Sequence, residues 1–104
     1  MSREELIKRI KSLLEAEYGE RLKGVVLYGS EARGEAIADS DVDLLVLLGG
    51  PVDWGRETLK VIDLLYDTVL AIERPIHALP VDADDFRAGK YALYRTVKEE
   101  GLNL

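Results

Sequence analysis

With 104 residues, 47% of them hydrophobic and 33% charged, the chain has the composition of one folded domain and is too short for a catalytic domain plus a separate substrate-binding domain. The 20 acidic residues against 14 basic ones leave a net charge of -6, which repels a polyphosphate backbone and argues against direct nucleic-acid binding. The lack of cysteine excludes disulfide staples and thiolate zinc sites, the charged N-terminus does not read as a signal peptide, and no apolar run approaches the roughly 20 residues of a membrane span, so a soluble cytoplasmic domain is expected.

Ser2 and Glu5 have the spacing of a capping box, and Leu6, Ile10, Leu13 and Leu14 recur at helical intervals until Gly19 offers a stop. Gly24 to Tyr28 is a short run of strand formers ending at Gly29 and reads as a buried strand. Residues 29 to 40 are small, polar or charged and predict a structured loop, with a helical turn after Ser30. Val42 to Leu48 reads as a second strand, closed by Gly49, Gly50 and Pro51.

From Asp53 to Glu73 the positions Leu59, Ile62, Tyr66 and Val69 keep helical spacing, so a long helix is expected. The same stretch carries Val61, Leu64, Leu65, Leu70 and Ile72, more apolar surface than one packed face requires; the surplus is expected to meet another chain. Ile76 to Val81 reads as a third strand and an edge one, because Pro75 and Pro80 cannot donate to a ladder. Asp82 then caps a short turn through Phe86, and Tyr91 to Glu100 predicts a last helix that stops at Gly101. The order of elements predicts one α/β (α+β) domain over 1–104, a small mixed three-stranded sheet flanked by helices.

The chemistry concentrates between the first two strands. Asp41 and Asp43 are two apart at the head of an apolar strand, so their side chains leave from one face, roughly 6.5 Å apart at the backbone. Two such carboxylates repel each other, and a divalent cation compensates. Oxygen-only ligands suit Mg²⁺, completed by waters and substrate phosphates, and a two-ion site of this kind clamps the attacking and leaving oxygens of a phosphoryl-type displacement. Gly29 and Ser30 sit where the first strand ends and free N–H groups favour anions. Ser30 is expected to cap the helical turn there in either case. Arg33 either adds a charge on the same anion or braces the loop. Asp39, two residues before Asp41, is read with Glu35, Asp53 and Asp84 as a solvated loop or cap residue.

Gly29-Ser30 followed by Asp41-Val42-Asp43 resembles the glycine-serine and paired-aspartate signature of the polymerase-beta-like nucleotidyltransferases. The further match at Ala32-Arg33-Gly34, together with the short chain, is similar to the minimal nucleotidyltransferase (MNT) branch. The resemblance is strong over residues 24 to 48. It implies the polymerase-beta-like nucleotidyltransferase fold and transfer of a nucleoside monophosphate, usually AMP from ATP with Mg²⁺, to a hydroxyl. It also implies a helical HEPN-type protein partner in a toxin–antitoxin pair, alongside the homo-oligomer that the surplus apolar surface suggests. Asp41 and Asp43 would hold metal and act catalytically, while Gly29, Ser30 and Arg33 would grip the triphosphate. The family places a third acid on a later strand, and here His77 has that position. Glu73 is the weaker alternative, and a solvent-facing His77 without a role is equally compatible with the sequence.

Overall fold

The computed structural model describes residues 1–36 and 40–104. Helix α1, Arg3–Tyr18, is capped by Ser2, whose hydroxyl accepts from the Glu5 N–H at 3.1 Å, and it buries Leu6, Ile10, Leu14 and Tyr18 along one stripe. A 3-10 turn at Gly19–Arg21 leads into strand β1, Leu22–Tyr28. The predicted helical turn is α2, Gly29–Arg33, stopped by Gly34 in the left-handed conformation. Strand β2 spans Val42–Leu48, and helix α3 spans Trp54–Ile72 behind an Asp53 cap that accepts from the Arg56 N–H. Strand β3 is Ile76–Asp82, and Asp82 caps α4, Ala83–Arg87, by accepting from the Asp84 and Asp85 N–H groups. Helix α5, Ala92–Glu100, precedes a short β4 at Leu102–Asn103.

Among the described residues the sheet has four strands rather than three, in the order β3-β2-β1-β4. The fourth is two residues long and pairs antiparallel with β1, Leu102 opposite Leu27 and Asn103 opposite Val26. No period-2 pattern can show in two residues, which is why the sequence did not announce it. The turn that allows it needs a close approach at Gly101. A Cβ there would lie 2.5 Å from the Val97 carbonyl oxygen and 2.6 Å from Val26 Cγ1. β1 and β2 are antiparallel, while β2 and β3 are parallel and joined through α3, so the sheet is mixed as expected.

Side-chain alternation along the strands sorts the core into two layers. Val25 and Leu27 of β1 and Val42, Leu44, Val46 and Leu48 of β2 meet the buried stripes of α1 and α3. Val26 of β1, Leu45 and Leu47 of β2 and Val81 of β3 face the other way and pack against Phe86 of α4 and Val97 of α5. Arg21 ties the first layer's edge together, donating to the Gly49 and Pro51 carbonyls and, at 3.2 Å, to the buried carboxylate of Glu57. Among the described residues no helix is long and apolar enough to cross a membrane.

Helix α3 presents two apolar stripes, and the core takes the one that did not define its periodicity. Val61, Leu65 and Thr68 are buried, whereas Leu59, Ile62, Tyr66 and Leu70 all stand more than half exposed. Leu65→Ala is therefore expected to lower the unfolding free energy by about 2–5 kcal/mol. Ile62→Ala should change it by no more than about 0.5 kcal/mol in dilute solution. Urea titration of the two variants checks this, and equal losses would contradict the assignment of faces.

Candidate functional site

Asp43 shares its parity on β2 with Leu45 and Leu47, and so points toward the α4/α5 face of the sheet. The strand register puts Tyr28 of β1 opposite Asp43 and Asp43 opposite His77 of β3. The three side chains thus form a row across the three strands, at the margin of the layer that α4 and α5 cover, with Tyr28 still packed against it. The row stays open to solvent, with Asp43 half-buried and His77 exposed. Asp41, just before β2 begins, joins it: His77 Nε2 lies 3.1 Å from Asp41 Oδ2. Both partners of that contact are about half exposed, so the pair contributes only about 0–1 kcal/mol and opens easily to a competing cation.

Gly29, the first residue of α2, closes the row from the side. Its φ of +72° is a left-handed conformation, and a Cβ there would lie 2.7 Å from Asp43 Oδ2. Only glycine brings the backbone this close to the carboxylate. Ser30 follows inside the first turn of α2. The N-cap position is held by Tyr28, which makes no side-chain capping bond, so the expectation that Ser30 caps the turn is corrected: its hydroxyl is not used in that way. Arg33 Nε donates to Glu35 Oε2 at 3.1 Å, which is the loop-bracing arrangement. Asp39 lies outside the described residues. Glu73 ends α3 in a left-handed conformation with φ of 57° and is exposed.

What holds α2 and the start of β2 in place is a pair of residues the sequence did not single out. Glu31 of α2 is buried and ion-paired with Arg74, whose Nε also donates to the Ser40 carbonyl at 2.7 Å. Arg3 adds a second guanidinium, donating to the Glu31 carbonyl at 3.0 Å. Burying a carboxylate costs several kcal/mol unless it is paired, and these two arginines pair it while fixing Ser40 next to Asp41. The partners come from far apart in the chain, so only the fold brings them together.

Burial pushes the Asp43 carboxyl above its ordinary range; the neighbouring His77 pulls it back and Asp41 pushes it further up. Tyr28 is likewise raised, first by burial and then by the Asp43 charge. A half-desolvated carboxylate beside a second one is an electrostatic setting that favours a bound cation. Two aspartate donors suit Mg²⁺ completed by waters and phosphate oxygens. Among the described residues no group of three or more His, Cys, Asp or Glu gathers to hold a metal.

Residues 4–101 match the family model described as a nucleotidyltransferase domain. The chain belongs to that family. It is also 34% identical over 103 residues to a Methanocaldococcus jannaschii protein named "Putative protein adenylyltransferase MJ0604", with 97% of this chain and 96% of that protein covered. Among solved structures the fold resembles a chain from a toxin–antitoxin crystal structure with AMP-PNP, at a TM-score of 0.66 and 20% identity over 98% of this chain and 72% of that one. It also resembles a nucleotidyltransferase-type structure from Sulfolobus solfataricus, at a TM-score of 0.58 and 19% identity over 95% of this chain and 76% of that one. As a nucleotidyltransferase domain, the chain carries its glycine-serine turn and paired aspartates at the open end of the sheet.

The raised Asp43 carboxyl fixes the sign of a stability effect. A group whose folded-state pKa is raised makes its full contribution below the unfolded value and loses it as pH rises through the folded one. In metal-free buffer the ionised Asp43 therefore weighs against the native state at neutral pH. Asp43→Asn is expected to raise Tm at pH 7, and the gain should vanish near pH 3, where the wild-type carboxyl is protonated in both states. Thermal melts at the two pH values, with chelator present, give the comparison.

Proposed function

We propose that this nucleotidyltransferase domain transfers AMP from ATP, with Mg²⁺, to a hydroxyl group on a partner protein. The observation that carries the reading is the juxtaposition of the Gly29 turn with Asp43, and of Asp43 with Asp41 and His77, in one open row at the end of the sheet. The relative named as a protein adenylyltransferase supports the choice of AMP and of a protein acceptor. The likeness to a chain from a toxin–antitoxin structure supports a protein partner, for which a helical HEPN-type protein is our candidate.

In this reading the backbone N–H groups at Gly29 and Ser30, with the Ser30 hydroxyl, orient the triphosphate. Arg33 can leave Glu35 to meet it, since an exposed pair of this kind costs little to break. Asp41 and Asp43 would hold Mg²⁺, which would supply charge neutralisation to the triphosphate. The bond broken is that between the α-phosphorus and the bridging oxygen, with pyrophosphate leaving, and the bond formed joins the α-phosphorus to the acceptor oxygen. The acceptor hydroxyl loses a proton in the process. His77, at the position of the family's third acid, donates from Nε2 to Asp41 in the contact described and could accept that proton there only as the other tautomer, once a cation has drawn Asp41 away; it adds no negative charge for a second ion. The isolated chain is therefore expected to transfer slowly. That same histidine favours the second reading, an antitoxin-type module that neutralises its partner by binding it.

Two sets of variants test these roles. Asp41→Asn and Asp43→Asn keep shape but remove ligand charge, and each should lower Mg²⁺-dependent ATP affinity or transfer by more than about 100-fold, beyond the usual loss from removing an outer-shell partner. Calorimetry with Mg²⁺-ATP reads the binding. Transfer is read by mixing the protein with labelled ATP, Mg²⁺ and the product of a neighbouring helical-protein gene, then looking for labelled protein. Unchanged affinity in the double variant would remove the metal assignment.

His77→Asp restores an acid at the third position. It is expected to raise Mg²⁺ affinity or transfer rate about tenfold, equivalent to about 1.4 kcal/mol. Robust wild-type transfer that His77→Ala leaves untouched would show that His77 has no part in the reaction.

A further inference from the structure

We propose that Arg74 is the positioning residue of Asp41, and that one guanidinium sets this carboxylate against the Gly29 turn. The consequence for ligand binding rests on the proposed reading of Asp41 as a metal ligand. Asp43 needs no such device, because it lies within β2 and the pairings with Tyr28 and His77 fix its backbone. Asp41 stands just before the strand with its side chain about half exposed, so strand pairing does not reach it and packing constrains it little.

The chain on either side of Asp41 is clipped to the junction between α3 and β3. Arg74 Nε donates to the Ser40 carbonyl at 2.7 Å, and the Val42 N–H donates to the Pro75 carbonyl at 2.9 Å. Asp41 is thus the one residue between two hydrogen bonds to consecutive positions of the junction. The same guanidinium reaches α2, where Arg74 Nη2 donates to Glu31 Oε1 and both side chains are largely buried. A planar fork holds a charged acceptor and a backbone acceptor in one geometry, which an ammonium on a flexible stem does not. By this route Gly29, which closes on Asp43 and lies one turn-residue away from Glu31, is tied to the residue that precedes Asp41. Arg3 differs from Arg74 in reach. It donates to the Glu31 carbonyl at 3.0 Å and lies 3.5 Å from the Glu31 carboxylate, and its described contacts stop at α2.

Two variants separate positioning from folding. Arg74→Lys keeps a cation for Glu31 but does not serve both acceptors, and Arg74→Ala combined with Glu31→Gln removes the pair without leaving a buried carboxylate alone. In each, calorimetry should show Mg²⁺-ATP affinity lowered by about 10–100-fold, the usual effect of losing an outer-shell partner. Arg3→Ala should lower it by no more than about fivefold, the worth of a half-exposed pair.

His77 supplies a readout that a purely structural role for Arg74 would not move. It is the chain's single histidine and meets Asp41 Oδ2 at 3.1 Å, so its ring reports where Asp41 stands. In metal-free buffer at one fixed pH, the ¹⁵N–¹H correlations of the His77 ring should shift in both Arg74 variants and coincide with wild type in Arg3→Ala. His77 signals that keep their wild-type positions in both Arg74 variants overturn the proposal. So does an Mg²⁺-ATP affinity that both variants retain, or one that Arg3→Ala lowers as far. Shifted His77 signals in a protein whose wild type binds no Mg²⁺-ATP would instead remove the metal reading of Asp41, with Arg74 still its positioning residue.

Discussion

Asp43 is half withdrawn from water, pressed from one side by the Gly29 backbone, with the charge of Asp41, just before its strand, close by. Much of the molecule exists to keep it there. β2 is the strand with a full partner on each side, so its register with β1 and β3 decides which residues stand beside the carboxylate. The parallel crossover through α3 delivers His77 to one side, and the antiparallel hairpin delivers Tyr28 to the other. The buried Glu31, held by Arg74 and Arg3, locks the turn that presents Gly29 and pins Ser40 at the entrance to β2. A half-buried carboxylate that disfavours its own charge would gain from a cation placed beside it, so under the proposed function stability and ligand affinity would pull in opposite directions at this residue.

The parts of this arrangement that were legible in the sequence are those carried by local pattern. The capping at Ser2 and Asp82 needs only a side chain and N–H groups a few residues away, and both caps stand as read, while Asp53, left open between loop and cap, proves to be a cap. Asp41 precedes β2, yet its contact with His77, which stands opposite Asp43, brings it to the side of the sheet that the two-residue spacing predicts. The position of His77 came from the family resemblance, which sets a third acid on the later strand, and the register of β3 with β2 puts it opposite Asp43. What the sequence hid depends on long-range meeting. Arg74 and Glu31 are ordinary charged residues until the fold puts them together, and β4 has too few residues to show any period. Ser30 was misread for a local reason: the turn starts one residue earlier than a serine cap requires, because Gly29 itself is helical in its hydrogen bonding.

Helix α3 shows how periodicity can be right about an element and silent about its orientation. Leu59, Ile62 and Tyr66 keep helical spacing, and so do Val61, Leu65 and Thr68. A helix with apolar residues on more than one face offers two candidate interiors. The sheet selects the second set, and its Val61 and Leu65 join Leu44 and Val46 in one buried cluster. The first set is left facing water, where the charged residues Arg56, Asp63 and Asp67 interrupt it.

The prolines of β3 have a bearing on how the sheet ends. β3 is an outer strand, and Pro80 sits inside it, paired in register with Val46. A missing donor within the strand and another at Pro75 before it break the hydrogen-bonding row that an added strand would need. The opposite margin is shielded over Val26 and Leu27 by the two residues of β4. Growth of the sheet by edge pairing is thereby discouraged on both margins, a safeguard against fibrous aggregation in a protein with few residues to spare. Encounters with other chains are left to the helices and to the open row of side chains at the end of the strands.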